Sequence, residues 1–222
     1  MNNQINSKMG RPVVKEGEKS TRERIFDAAI HLFSENGYDR TSVRDLASSL
    51  DLTEGAIYRH YRNKEGILDS IFEYAEKMIF SALPVEDTSG ATGVISIFRG
   101  LLEPLPEIII NEPYVVKIMR IMFQEIHHNE RIRKYYRKEY QERADDVMNK
   151  IFQKCLEAGS IKPCDTVSLA RVFNYYRAEW AFQNFIICQN EPFDLEKVKK
   201  ELNEIILFFE EQFLPGKTIH YK

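Results

Sequence analysis

Apolar residues recur along most of this chain at the three- and four-residue steps of a helix, and no stretch alternates as a strand would require. The first run opens at Ser20, which with Glu23 makes a capping box, and carries Ile25, Phe26, Ala29, Leu32 and Phe33 until Gly37 stops it. Ser42 and Asp45 repeat the box ahead of a stripe only two turns long: Val43, Leu46, Ala47 and Leu50. Asp51-Leu52-Thr53 reads as a tight connection, because Asp enters the left-handed region and Thr53 can cap the next helix. That third short helix is predicted from Glu54 to about Tyr61. A fourth, capped by Asn63, carries Leu68, Ile71, Phe72, Ala75 and Ile79 toward Pro84.

The remainder is helical too. Gly90 to about Glu125 is apolar but holds Pro104, Pro106 and Pro113, which predicts two or three pieces. From Asn129 the period is cleanest, with Ile132, Tyr135, Tyr136, Tyr140, Ala144, Val147, Met148, Ile151, Phe152, Cys155 and Leu156 leading to Gly159. At helical rise that stripe is a rod of about 45 Å. Two more helices are expected, about Asp165 to Ile187 and about Asp194 to Phe213. The fold class is therefore all-α, with about nine helices.

Composition narrows the class. With 31 Lys and Arg against 34 Asp and Glu, the net charge of −3 excludes a uniformly cationic nucleic-acid binder and leaves open a local basic surface. Residues 1–66 hold 11 basic against 10 acidic side chains and the rest 20 against 24, so the asymmetry favours the N-terminal part only slightly. Cys155, Cys164 and Cys188 are widely spaced and form no Cys-x-x-Cys pair, which argues against a disulfide framework or zinc knuckle and for the reducing cytoplasm. No stretch approaches the ~18 apolar residues of a membrane span, so no membrane association is expected. Residues 1–19 are polar, carry Lys8, Arg11, Lys15 and Lys19, and read as a flexible basic arm.

Two short helices joined by three residues and braced by a longer one have the layout of a helix-turn-helix, although small helical bundles contain such pairs as well. Residues 21–72 carry more than the spacing. Arg24-Ile25-Phe26-Asp27-Ala28-Ala29, Leu32-Phe33, Gly37-Tyr38, Thr41-Ser42-Val43-Arg44-Asp45-Leu46-Ala47, Glu54-Gly55-Ala56-Ile57-Tyr58-Arg59-His60-Tyr61 and Lys64-Glu65 with Leu68 together resemble the N-terminal domain of the tetracycline-repressor (TetR) family of transcriptional regulators. Ala158 to Pro163 is similar to the family as well. The resemblance implies a helix-turn-helix DNA-binding domain over 20–66 and a helical regulatory and dimerisation domain over 67–222. It also implies a homodimer on a palindromic operator in double-stranded DNA, most often a repressor, released by a small-molecule effector.

With the third helix in a major groove, Thr53, Glu54, Gly55 and Ala56 meet base edges. Ala56 can touch a thymine methyl, Glu54 can accept from a cytosine amine, and Arg59 can reach a guanine or a phosphate. Tyr58, His60 and Lys64 match family positions that hold phosphates, as do Thr41, Ser42 and Arg44. Taken singly, Tyr58 and Tyr61 read equally well as core aromatics, and His60 and Lys64 as solvated side chains. Arg11, in Gly10-Arg11-Pro12, can enter a minor groove; the alternative is an arm that adds only salt-dependent affinity.

An apolar effector pocket is expected from Phe98, Met119, Met122, Phe123, Tyr136, Tyr140, Phe173, Tyr176 and Trp180, with ordinary core packing as the alternative for each. Phe182, Phe185, Ile186, Leu207 and Phe208 exceed the core stripes of the last two helices and suggest a four-helix dimer interface; a deeper monomeric core is the other reading. An enzyme is disfavoured. His127 and His128 are adjacent and cannot share a helix face, Asp145-Asp146 reads as a solvated face, and no nucleophile elbow, metal-binding spacing or phosphate-cradling glycine loop is present. No cofactor or metal is expected. A regulator whose large domain binds a protein, or nothing, stays open.

Overall fold

The computed structural model describes residues 19–81, 95–188 and 194–216, so Arg11 and nearly all of the predicted arm lie outside the described residues. No strand occurs among the described residues. The head comprises α1 (Thr21–Asn36), α2 (Val43–Ser49), α3 (Glu54–Tyr58) and the start of α4 (Lys64–Ser81). The body comprises α5 (Ile97–Leu102), α6 (Leu105–Asn111), α7 (Pro113–Glu125), α8 (Glu130–Tyr135), α9 (Arg143–Glu157), α10 (Thr166–Phe182) and α11 (Leu195–Phe213).

The boundaries are set by local chemistry. Both capping boxes form: Ser20 and Glu23 satisfy each other's backbone amides, as do Ser42 and Asp45. Asp51 is the only non-glycine residue with positive φ among those described, at 55°, which is the left-handed turn that lets α3 cross α2. Thr53 Oγ1 accepts from the Ala56 amide at 3.2 Å and starts α3. That helix ends at Tyr58, three residues short of the predicted Tyr61, because the amides of His60 and Tyr61 both turn back to the Ile57 carbonyl before Asn63 opens α4. The prolines divide α5, α6 and α7 as expected, with Pro104 just after α5 and Pro113 at the first position of α7.

The long rod is not uniform. Between α8 and α9, Tyr136–Glu142 forms a π segment, and a second one, Gln183–Ile187, extends α10. Apolar positions 132, 136, 140, 144, 148 and 152 recur every four residues rather than every 3.6. A regular α-helix would rotate this stripe by about 40° per step, and a wider turn absorbs the drift. It also stacks Tyr136 on Tyr140, with centroids 5.1 Å apart.

Two cores result. One joins the head to α7, α8 and α10 through Ile25, Phe33, Leu46, Ile57, Ile71, Met119, Met122 and Trp180. The other lies between α5, α9, α10 and α11 around Phe98, Phe152, Phe173 and Phe209. Because α4 contributes Ile67, Leu68, Ile71, Phe72 and Ala75 to the first core, packing runs unbroken across residue 66.

Replacing Asp51 separates turn geometry from side-chain chemistry. In urea unfolding, Asp51→Val should cost about 1–2 kcal/mol, since a β-branched residue resists positive φ, whereas Asp51→Gly should leave stability equal or higher.

Candidate nucleic-acid interface

Burial divides the short helices into two faces. Val43, Leu46 and Ala47 of α2, with Ala56 and Ile57 of α3, turn inward onto α1. Outward stand Ser42, Arg44, Thr53, Glu54, Gly55, Tyr58, Arg59 and His60, all exposed. Tyr58 is 48% exposed, which excludes the core-aromatic reading, whereas Tyr61 is buried and takes that role, with Arg22 lying over its ring at 5.3 Å. A phenol, a guanidinium and an imidazole at consecutive positions beside the α2 N-terminus make a surface of donors suited to phosphate oxygens and base edges.

Two predicted contacts leave this face. Thr41 is only 2% exposed and its hydroxyl donates to the Gly37 carbonyl at 2.8 Å, so it fastens the α1–α2 turn and has no hydroxyl proton left for a phosphate. Ala56 is 6% exposed and its methyl packs inward, which removes the thymine contact. Lys64 is half-buried: its Nζ lies 4.1 Å from the Tyr38 ring centre and donates to the Asp39 carbonyl at 3.5 Å. Burial lowers the Lys64 pKa, opposed by the nearby acids Asp39, Glu65 and Glu125. Arg62, exposed between Arg59 and Lys64, adds a cation to the face; the basic spacing 59, 62, 64 was its signal.

Gly55 has open space where a side chain would sit, Thr53 Oγ1 at 3.9 Å being the nearest atom. The fold does not need glycine there. A partner that approaches the backbone does.

The residues expected to line one pocket divide between the two cores. Phe98 and Phe173 are fully buried in the second, 6.2 Å apart, and are packing residues. Met119, Met122, Tyr136 and Trp180 belong to the first, with Phe123, Tyr140 and Tyr176 at its margin. A cavity of about 630 Å³ opens between α6 and α11, lined by Glu103, Pro104, Glu107, Lys199, Leu202, Asn203 and Ile206, and holds none of the predicted residues. A second, of about 30 Å³, adjoins Tyr140, Asp145, Asn174 and Arg177. There Arg177 Nε and Asn174 Oδ1 are buried without hydrogen-bond partners. Burial disfavours the Arg177 charge and raises the Tyr140 phenol pKa.

Of the predicted dimer contacts, Leu207 and Phe208 are 40% and 51% exposed. Phe182 instead turns onto Phe123, with centroids 5.3 Å apart, and belongs to the protein's own packing. Ile186 is partly buried, and the Phe185 side chain is outside the described set. Val172 and Tyr175 on α10 are exposed as well, at 55% and 62%, and were not among the expected contacts because they lie off the core stripe. No helix among the described residues is long and apolar enough to cross a membrane.

Residues 25–71 match the family described as bacterial regulatory proteins, tetR family. Over 110 residues the chain is 32% identical to the transcriptional regulator AcrR of Shigella flexneri, covering 49% of this chain and 51% of AcrR. Over 57 residues it is 40% identical to IcaR, a negative transcriptional regulator of the biofilm operon icaADBC in Staphylococcus epidermidis, covering 24% and 31%. The chain thus spans about half or less of the length of these curated relatives. The fold matches a TerR/AcrR-family regulator from Aquifex aeolicus with a TM-score of 0.64 at 25% identity, over 86% of this chain and 99% of that one.

Gly55→Ala tests the interface directly. It should raise stability in thermal unfolding by about 0.5 kcal/mol while weakening binding to DNA selected by the parent chain. Stability and binding rising together would mean that no partner approaches this backbone.

Proposed function

We propose, for a chain whose N-terminal domain is that of the TetR family and whose fold is that of its regulators, that it binds a palindromic operator as a homodimer and represses transcription until a small ligand releases it. The observation that carries this reading is the exposed face of α2 and α3, where Gly55, Tyr58, Arg59 and His60 stand clear of a head whose apolar side is fully used in packing. One such face spans few base pairs, so a symmetric pair supplies the remaining information. We assign the pairing surface to Val172, Tyr175, Leu207 and Phe208.

For the effector, the region between α7, the first π segment and α10 is favoured. Its cavity is lined by Tyr140 and Tyr175 with Gln141, Asp145 and Asn174, and Arg177, whose Nε is buried without a hydrogen bond, forms no ion pair among the described residues. An effector with an apolar body and an anionic group would satisfy that guanidinium. The space is only about 30 Å³, room for little more than water, so such a ligand has to move Tyr140 aside. That motion acts on the rod packed against the head.

Selection of bound duplexes from a random pool should return two half-sites related by two-fold symmetry, with centres about one helical turn or a multiple apart. Arg59→Ala should then relax preference at one position of each half-site by about 1–3 kcal/mol, and Tyr58→Ala should weaken all sequences alike. An unenriched pool would overturn the reading. For the effector, decanoate should raise the melting temperature more than decanol does, and Arg177→Leu should abolish that difference while leaving operator binding intact. Equal responses to both probes would remove the anionic group from the assignment.

A further inference from the structure

His128 stands beside His127 in sequence, but the fold brings it to two carboxylates. Asp39 comes from the turn between α1 and α2, Glu125 is the last residue of α7, and His128 lies in the turn before α8. One potential ligand atom from each lies within 4.8 Å of the other two. The head supplies one of these groups and the body two.

Glu125 carries the argument. Its side chain is 5% exposed, and its one ion-pair contact among the described residues is His128 Nε2 at 3.3 Å. That contact is made by Oε2, whose approach to the imidazole does not amount to a hydrogen bond. Burying a carboxylate is costly unless a cation and hydrogen bonds compensate, and an imidazole is not a permanent cation. Lys64 and the Arg40 guanidinium are near enough to feel it, but neither forms an ion pair with it among the described residues, and Lys64 is held by the Tyr38 ring and the Asp39 carbonyl. The chain nonetheless makes room for this group. At Gly37, with φ +88°, a Cβ would meet Glu125 Oε1 at 2.8 Å, so the backbone closes on the carboxylate.

We propose that Asp39, Glu125 and His128 bind a divalent first-row transition-metal ion that pins the head to the body. Two carboxylate oxygens and one imidazole nitrogen, completed by water, suit Zn²⁺ or Mn²⁺. The set has too few oxygens for Ca²⁺ and no thiolate for a soft ion. Bond lengths of about 2.0–2.2 Å require the cluster to contract. Glu125 is fixed, whereas Asp39 and His128 are exposed and can close on it. Asn129 orients one ligand: its Nδ2 donates to Asp39 Oδ1 at 3.0 Å, leaving Oδ2 for the ion, while its own Oδ1 caps α8 through the Ile132 amide at 3.1 Å. An ion here ties the α1–α2 turn to the α7–α8 corner, so its occupancy and the orientation of the head are linked.

The test uses the tag-free, chelator-treated full chain, titrated with Zn²⁺ and separately with Mn²⁺ by calorimetry, with thermal unfolding in parallel. One ion per chain and a raised melting temperature are expected for at least one of the two metals. Glu125→Gln and His128→Ala should each weaken binding tenfold or more, while His127→Ala, which removes the neighbouring imidazole, should leave it unchanged. His128 is 58% exposed, so its replacement keeps the fold and the test stands even where Glu125→Gln perturbs packing. Absence of saturable binding by either metal up to 1 mM, or binding undiminished in His128→Ala, would overturn the proposal. Because no DNA enters this measurement, its failure leaves the operator reading untouched, and an unenriched DNA pool leaves the metal site untouched.

Discussion

The seam where α1 and α4 pack on α7 and α8 is the constraint on which the rest of the molecule depends. Phe26 meets Tyr74 and Tyr114 edge-on at 5.6 and 6.1 Å, and Phe72 stacks on Tyr135 at 3.9 Å. The phenols at this seam have polar partners, Tyr74 donating to Glu112 at 3.1 Å and Tyr135 to the Phe72 carbonyl at 3.0 Å. Gln124 reaches the Ser34 carbonyl, and Arg131 pairs with Asp69 across the same junction. A head held this way is a rigid extension of the body. Close-packed seams transmit displacement instead of absorbing it, so a shift of α7 or α8 is delivered to α2 and α3 as a change of orientation.

Local chemistry made most of the architecture legible in the sequence. The two capping boxes, Thr53, the prolines and the permissive Asp51 each act within four residues, and each is found doing what its neighbours predict. The features that escaped depend on phase or on distance in the chain. A four-residue repeat looks like a helix stripe when positions are only counted, and the π segment appears once its angular drift is traced through Tyr136 and Tyr140. Sequence position places Thr41 at a family phosphate position and Ala56 at the start of the third helix, but direction is set by tertiary packing, and both side chains are buried in the head. Phe98 and Phe173 resemble the other pocket candidates in kind and differ only in which core they join.

On the operator-binding reading proposed above, electrostatics on the outer face reconciles a net charge of −3 with a surface offered to DNA. Arg44, Arg59 and Arg62 stand on the exposed side of the head, yet Asp45 and Glu54 stand there with them. On that reading, attraction to phosphate is partly cancelled, and weak uniform binding to any duplex is the expectation. Such a face gains affinity through fit, because Glu54 repels phosphates unless a base amine or a nearby cation faces it. In the proposed complex the acidic share of the surface would then discriminate against wrong sequences.

The same logic applies inside. A ligand shifts a conformational equilibrium only by its difference in affinity between states, and that difference is largest where a buried group lacks a partner in one of them. Two charged side chains have a buried atom without a hydrogen bond: Glu125, paired only with His128 among the described residues, where the head meets the body, and Arg177 beside the π segment. The apolar seam between them is well packed and has little to gain from any ligand. Hydrophobic packing therefore fixes the path along which motion travels, and the two underpartnered charges fix where it can be started. If the two proposed ligands bind, signals of opposite sign, a cation at one place and an anion at the other, enter through one shared connection.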